Sequence, residues 1–287
     1  MTWPKLGLMT PPSLATRFEA LKRKAVALAQ EGPAARRARL ARFVAAYETH
    51  RGALTEALSE DLGRHPLESE LVELHPTGAE LRHALRHVTR WMKPRRVGTP
   101  LTLMGTRSRI QPEPKGVVLI LAPWNYPVFL LLPPLAAALS AGNAVMLKPS
   151  EKAPATERAL LALLQEAFPD GEVEVARGGP EVAEALLDLP WNHIFFTGST
   201  RIGRKVAMAA AKHLSSVTLE LGGKSPALVT ATADLDQAAA RIAWGKAVKA
   251  GQTCVAPDYV LVQAEALPAF LSRLTAQVGA QGGPGAC

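Results

Sequence analysis

Two cysteines in 287 residues, Cys254 and Cys287, are too few to staple a secreted scaffold, so the chain reads as the product of a reducing, cytoplasmic compartment. Aromatic side chains make up only 5% of the sequence and do not interleave with the basic residues, so the stacking platform of a nucleic-acid surface is missing. No signal peptide is visible, because Met1 to Glu31 carries charge through every would-be apolar segment. One run without charge, Val117 to Leu139, is long enough to cross a bilayer. Pro123, Pro127, Pro133, Pro134 and Asn125 interrupt it, and the backbone groups they free would find no partner in lipid, which excludes a membrane span. A metal centre is not expected either: His83 and His87 share a helix face, but no third ligand stands at a fitting interval.

What is present is a globular composition, 48% hydrophobic and 20% charged, with 22 glycines and 23 prolines spread as punctuation between apolar segments. The net charge of +8 is uneven. Residues 1–96 hold 17 Lys and Arg against 10 Asp and Glu, whereas residues 97–287 hold 16 against 15. Arg36, Arg37, Arg39 and Arg42 fall on the polar side of a helix whose apolar stripe is Leu40, Phe43, Val44 and Tyr47, and a solvated helix face is the expectation.

Residues 14–96 have helical texture, with breaks at Gly32-Pro33, at Gly63 to Pro66 and at His75 to Gly78. A polar, extended excursion occupies 97–115. From Gly116 short β-rich runs alternate with helical patterns: strands at 116–122, 143–148, 173–176, 193–197 and 217–221, and helices at 156–168, 181–187 and 202–213. Nearly continuous apolar strands in such an alternation predict an α/β fold, a parallel sheet with helices on both faces. A boundary is placed near Gly223, after which the pattern restarts with a strand at 227–230, a helix from Asp234 to Lys249 and a strand at 259–262. The expected parts are a helical region 1–96 packing on the sheet, the excursion 97–115, a sheet domain 116–223, a second α/β part 224–278 and a low-complexity tail 279–287.

Five segments carry candidate chemistry. Gly251-Gln252-Thr253-Cys254 places a thiol after a flexible lead-in, and a thiolate is a nucleophile. Glu220 lies between two leucines at the end of a predicted strand, so it is either a carboxylate of raised pKa suited to base catalysis or the partner of Lys224 in a buried ion pair. Asn125 is bracketed by Pro123 and Pro127 after a strand; a clamped amide can donate to a developing oxyanion, although the local sequence by itself favours an ordinary turn asparagine. Phe196 to Gly203 runs from strand to helix through small residues, which lets a chain approach a pyrophosphate, but Thr200 stands where the middle glycine of the dinucleotide fingerprint would be. Lys148 and Glu151 follow another strand and are read as ribose-holding groups or as a surface ion pair.

Taken in order, PWNYP (123–127), GNAVMLKPSE (142–151), FTGSTRIG (196–203), LELGGKSP (219–226) and GQTCVAPDYVL (251–261) resemble the NAD(P)-dependent aldehyde dehydrogenases, most nearly their class-three branch. The resemblance spans residues 15–275. It implies a Rossmann-type fold and oxidation of a small-molecule aldehyde to a carboxylic acid through a cysteine thiohemiacetal and thioester. In that reading Cys254 is the nucleophile, Glu220 the base that activates water, and the Asn125 side chain with the Cys254 amide the oxyanion hole. Trp124 faces the nicotinamide, Lys148 and Glu151 hold the adenosine ribose, and Gly198, Ser199, Thr200 and Gly203 the pyrophosphate. NAD is the expected cofactor, since Glu151 would repel a 2′-phosphate, with NADP tolerated in this branch.

Relatives of this kind continue further and carry a Glu-x-Phe segment on the nicotinamide ribose; no such segment follows Cys254 in the sequence, so a truncated, catalytically silent dinucleotide-binding chain is the alternative. The full-length family implies a homodimer, half of whose pairing surface this chain lacks. Lys249, where such relatives carry a polar uncharged residue, is expected to point to solvent.

Overall fold

In the computed structural model, which describes residues 13–280, the helical third begins for local reasons. The Ser13 hydroxyl accepts from the Thr16 amide at 3.2 Å and caps α1 (Leu14–Ala29). Helix α2 (Pro33–Leu62) opens on proline and stops at Gly63, whose φ of 64° favours a residue without Cβ. Helix α3 (Pro66–Ser69) passes through a π-turn, Glu70–Leu74, into α4 (His75–Trp91). The break expected at His75 is therefore absent. The wider turn shifts the hydrogen-bond ladder just where Pro76 has no N–H to give, and the helix carries on.

The excursion forms a hairpin in which β1 (Arg95–Val97) and β2 (Ser108–Ile110) pair antiparallel. Five parallel strands follow, β3 (Val117–Leu121), β4 (Ala144–Lys148), β5 (Val173–Val175), β6 (His193–Gly198) and β7 (Ser216–Leu221), in the order β5-β4-β3-β6-β7. Their crossovers contain α5 (Leu132–Ser140), α6 (Pro154–Ala167), α7 (Pro180–Leu187) and α8 (Thr200–Lys212). Every residue of β3 and β4 is buried, because the sheet is covered on both faces. Side-chain alternation divides the core. Val118, Ile120, Val145 and Leu147 pack under α2, α4, α5 and α6, while Val117, Leu119, Leu121, Ala144 and Met146 meet α1, α7 and α8. Trp191 anchors α1 there, edge-on to Phe18 at 4.7 Å, with its indole N–H donated to the Leu186 carbonyl at 2.6 Å.

A separate parallel pair, β8 (Pro226–Val229) and β9 (Tyr259–Val262), packs with α9 (Leu235–Ala247) and α10 (Leu267–Ala280) around Val229, Ala239 and Phe270. Gly279 and Ala280, the first residues of the expected tail, end α10; the rest of it, 281–287, lies outside the described residues. Among the described residues no helix is long and apolar enough to cross a membrane.

The solvated arginine face is realised at only two of its four positions. Arg36 and Arg39 are buried. Arg39 bonds Glu31 at 2.7 Å and the fully buried Glu172 at 3.0 Å, and Arg36 donates to the Ser140 carbonyl at 3.3 Å. The carboxylate that draws Arg39 inward sits 133 positions along the chain, beyond the reach of a helical wheel. Arg37 stays exposed and Arg42 is half-exposed beside Asp170 and Glu172.

Candidate active site

Strand order reverses between β3 and β6, and at such a point the loops leaving the carboxyl ends diverge and open a crevice. Here the loops after β3, β4, β6 and β7 and the thiol-bearing loop before β9 line one cleft of about 900 Å³. Eight of the expected residues face it: Trp124, Asn125, Lys148, Glu151, Gly198, Ser199, Glu220 and Cys254. Thr200 and Gly203 do not. Thr200 is exposed in the first turn of α8. Gly203 packs that helix onto β7, since a Cβ there would come within 2.7 Å of Leu221.

Lys148, at the end of β4, is 6% exposed, so its bond to Glu151 at 2.9 Å is not a surface pair. Partial burial pushes the Glu151 carboxyl up, but the hydrogen bond and charge of Lys148 outweigh it and hold the group below the usual carboxylate range. At the end of β6 the Thr197 hydroxyl oxygen is buried without a hydrogen-bond partner and its residue faces the cleft. Ser199 caps α8 with its hydroxyl, which accepts from the Ile202 amide at 3.4 Å, so the positive end of the helix opens on the same space.

Glu220 departs from expectation. Its flanking leucines lie on the opposite face of β7, which has period two, and Glu220 itself is exposed, so the desolvation inferred from its neighbours is not present. It forms no pair with Lys224, which instead bonds Asp258 at 2.9 Å.

The thiol loop is held from two sides. Asn125 donates one side-chain N–H to the Gln252 carbonyl at 2.8 Å, leaving the second amide hydrogen free, and the Tyr126 hydroxyl lies 3.0 Å from that of Thr253. Cys254 is exposed. Before it, Lys249, Ala250 and Gly251 take φ values of 56°, 51° and 73°, a left-handed stretch that is strained for its first two residues.

Lys249 is not in solvent. It is 3% exposed, its amine donates to the Asn125 carbonyl and covers the Tyr126 ring, and its backbone N–H donates to Glu68 at 2.7 Å. Burial holds its pKa down to about 6. The Arg64 guanidinium reaches the same carbonyl and pairs with Glu73, which is fully buried and accepts the Val128 and Phe129 amides at 2.8 and 3.3 Å. Burial also pushes the Tyr126 hydroxyl up. Sequence reasoning missed Arg64, Glu73, Tyr126 and Thr197. Tyr126 and Thr197 lie inside the segments 123–127 and 196–203 without standing out from them, Glu73 left a trace one helical turn before Thr77 on the buried stripe of α4, and Arg64 left none. Among the described residues no group of three potential metal ligands occurs.

Comparison with known proteins adds a family. The model described as "Aldehyde dehydrogenase family" matches residues 10–283. A Caulobacter vibrioides protein named "probable coniferyl aldehyde dehydrogenase" is 42% identical over 280 residues, 95% of this chain and 58% of its own length. Human "aldehyde dehydrogenase family 3 member B1" is 46% identical over 226 residues, 77% of this chain and 48% of the human protein. The substrate-bound structure of Staphylococcus aureus AldH superposes with a TM-score of 0.90 at 37% identity, covering 93% of this chain and 58% of that one. The chain thus spans about half the length of the curated relatives it matches.

Proposed function

The chain belongs to the aldehyde dehydrogenase family, and on that premise we propose that it oxidises an aldehyde to a carboxylic acid with a nicotinamide dinucleotide as hydride acceptor. The observation that carries this reading is the hydrogen bond from the Asn125 amide to the loop bearing Cys254, in a cleft that also contains Glu220 and the Lys148–Glu151 pair.

The cleft fits a dinucleotide. Lys148 and Glu151 offer a donor and an acceptor for ribose hydroxyls, the start of α8 offers free amides for a pyrophosphate, and the unpartnered Thr197 hydroxyl faces the same space. Trp124, Gly198 and Ser199 would complete the cradle, and Glu151 would repel a 2′-phosphate, favouring NAD over NADP. When bound, the dinucleotide supplies the acceptor that lets a hydride leave carbon without entering water.

The chain's own residues do the rest. The Cys254 thiolate adds to the aldehyde carbonyl, forming a carbon–sulfur bond while the carbonyl electrons move to oxygen. The free Asn125 amide hydrogen and the Cys254 backbone N–H donate to that oxygen as its charge develops. Loss of hydride from the resulting thiohemiacetal leaves a thioester on Cys254. Glu220, exposed at the cleft mouth and so in reach of water, takes a proton from the water that adds to the thioester and releases the acid. Residues 116–223 would bind the dinucleotide, 224–278 carry the thiol, and 97–115 form the excursion that serves subunit pairing in the homodimer of the full-length family.

The test is nicotinamide reduction by the purified chain with benzaldehyde and hexanal, beside Cys254→Ser and Asn125→Ala. Turnover lost in Cys254→Ser and lowered about 100-fold or more in Asn125→Ala is the expected result. Turnover that survives Cys254→Ser overturns the mechanism, and dinucleotide binding without any reduction overturns the activity in favour of a silent binding protein.

A further inference from the structure

Lys249 closes a ring. Its amine donates to the main-chain carbonyl of Asn125, the Asn125 side chain donates to the Gln252 carbonyl, and two residues of backbone, Ala250 and Gly251, join Gln252 back to Lys249. Neither bond alone would fix the asparagine, since one holds its backbone and the other its side chain; together they set the distance from its amide to the thiol two residues past Gln252. Arg64 donates to the same carbonyl from the opposite element, so both acceptor sites of that oxygen are used. Arg64 is in turn fixed by the buried Glu73, which also binds the amides of the segment following Asn125. At its other end Lys249 is tied through its backbone N–H to Glu68, which stabilises the left-handed conformation the chain takes there.

We propose that Lys249 is a positioning residue for the thiol and its oxyanion donor, acting through the Asn125 carbonyl to hold the Asn125 amide in register with Cys254. This rests on the reading of Asn125 as an oxyanion donor. The amine is buried and does not line the cleft, so it touches neither substrate nor cofactor. Its effect is geometric: it joins the loop after β3 to the loop before β9, which belong to different sheets. A donor misplaced by about 1 Å forfeits on the order of 100-fold in rate.

Lys249→Met keeps most of the stem and removes the donor; Lys249→Gln keeps a shorter N–H donor. In Lys249→Met, kcat should fall about 10- to 100-fold with KM for the dinucleotide unchanged, and Lys249→Gln should recover part of the loss. In an Asn125→Ala background the same Lys249→Met change should cost less than about twofold, because the residue it positions is gone. Full multiplicative losses in the two backgrounds would overturn the proposal. A readout independent of turnover is the side-chain ¹⁵N–¹H pair of Asn125, identified by its loss in Asn125→Ala. That pair should shift and broaden in Lys249→Met but not in the exposed Lys212→Met. An unmoved pair in a folded Lys249→Met protein overturns the proposal even if activity changes, as does a Lys249→Gln protein whose pair is unmoved while its turnover falls. If the wild-type chain reduces no dinucleotide, the spectrum still decides the role of Lys249 and only the activity reading falls.

Discussion

Replacing Glu73 by alanine tests whether the buried network under the Asn125 loop holds it in place. The side chain is fully buried and accepts three donors: the Arg64 guanidinium, itself 5% exposed, the Val128 amide at 2.8 Å and the Phe129 amide at 3.3 Å. Removing one partner of a buried ion pair leaves an uncompensated charge, a cost of about 3–5 kcal/mol. An orphaned buried amide adds about 1–3 kcal/mol; Val128 is fully buried and bears this in full, while the longer Phe129 bond, in a half-buried residue, bears less. These terms overlap, because Arg64 keeps its bond to the Asn125 carbonyl, so the whole comes to about 4–6 kcal/mol. That is a large share of the 5–15 kcal/mol, roughly, that keeps a domain folded.

The assay is urea unfolding followed by far-ultraviolet circular dichroism, with an unchanged denaturant slope as the check that the unfolded state is comparable. The control is Glu19→Ala, which removes an exposed pair with Lys22 at 3.1 Å and should cost about 0–1 kcal/mol. A third variant, Arg64→Met with Glu73→Met, removes both charges and fills the space with apolar atoms, so it should be less destabilised than Glu73→Ala alone. If Glu73→Ala unfolds within about 1 kcal/mol of Glu19→Ala, the network does not hold this loop and the reasoning fails.

Three more outcomes are expected. Between pH 6 and 10.5 the unfolded chain binds at Lys249 a proton that the folded chain does not. Burial depresses that amine, Arg64 presses it further, and Glu73, Glu68 and Cys254 oppose them. Stability should therefore rise with pH across that window, by at most about 1.4 kcal/mol per unit, and unfolding at pH 7, 8 and 9 should show a flatter slope in Lys249→Met. Glu151→Gln removes the charge that would face a 2′-phosphate and should raise kcat/KM with NADP relative to NAD about tenfold, equivalent to about 1.4 kcal/mol; an unchanged ratio would show that the ribose is held elsewhere. Gly142→Ala places a Cβ at φ 89° where the buried Arg36 guanidinium already stands, and its urea midpoint should report a loss of about 2 kcal/mol.

The sheet was legible because its signal is local. Five consecutive apolar residues in β3 and four in β4 before Lys148, separated by a single helical pattern, can be satisfied only by a sheet covered on both faces. The loops after these strands were legible for a related reason: Pro123 and Pro127 around Asn125, and the small residues 198–199, leave a texture that does not depend on what the rest of the chain does. Glu220 was misjudged from the same kind of local view, since in a strand the residues at either side report on the opposite face.

Lys249 and Arg39 were misjudged for a deeper reason. A basic side chain on a helix or turn goes to solvent by default, and only a partner able to offset desolvation changes that. For Arg39 that partner is Glu172, 133 positions away, and for the Lys249 amine it is the Asn125 carbonyl at 124, while Glu68 at 181 positions holds the Lys249 backbone N–H. No window along the chain contains both members of these pairs. The division follows from chemistry. A group that reacts with a small molecule must stand at a strand end or loop tip, where proline, glycine and serine mark the backbone. A group that only steadies another sits wherever tertiary folding brings a carbonyl or carboxylate to meet it, and nothing in its neighbours marks the place. Residue 249 therefore has to be judged against three elements at once: the loop after β3, the turn that carries Arg64 and the short helix that carries Glu68.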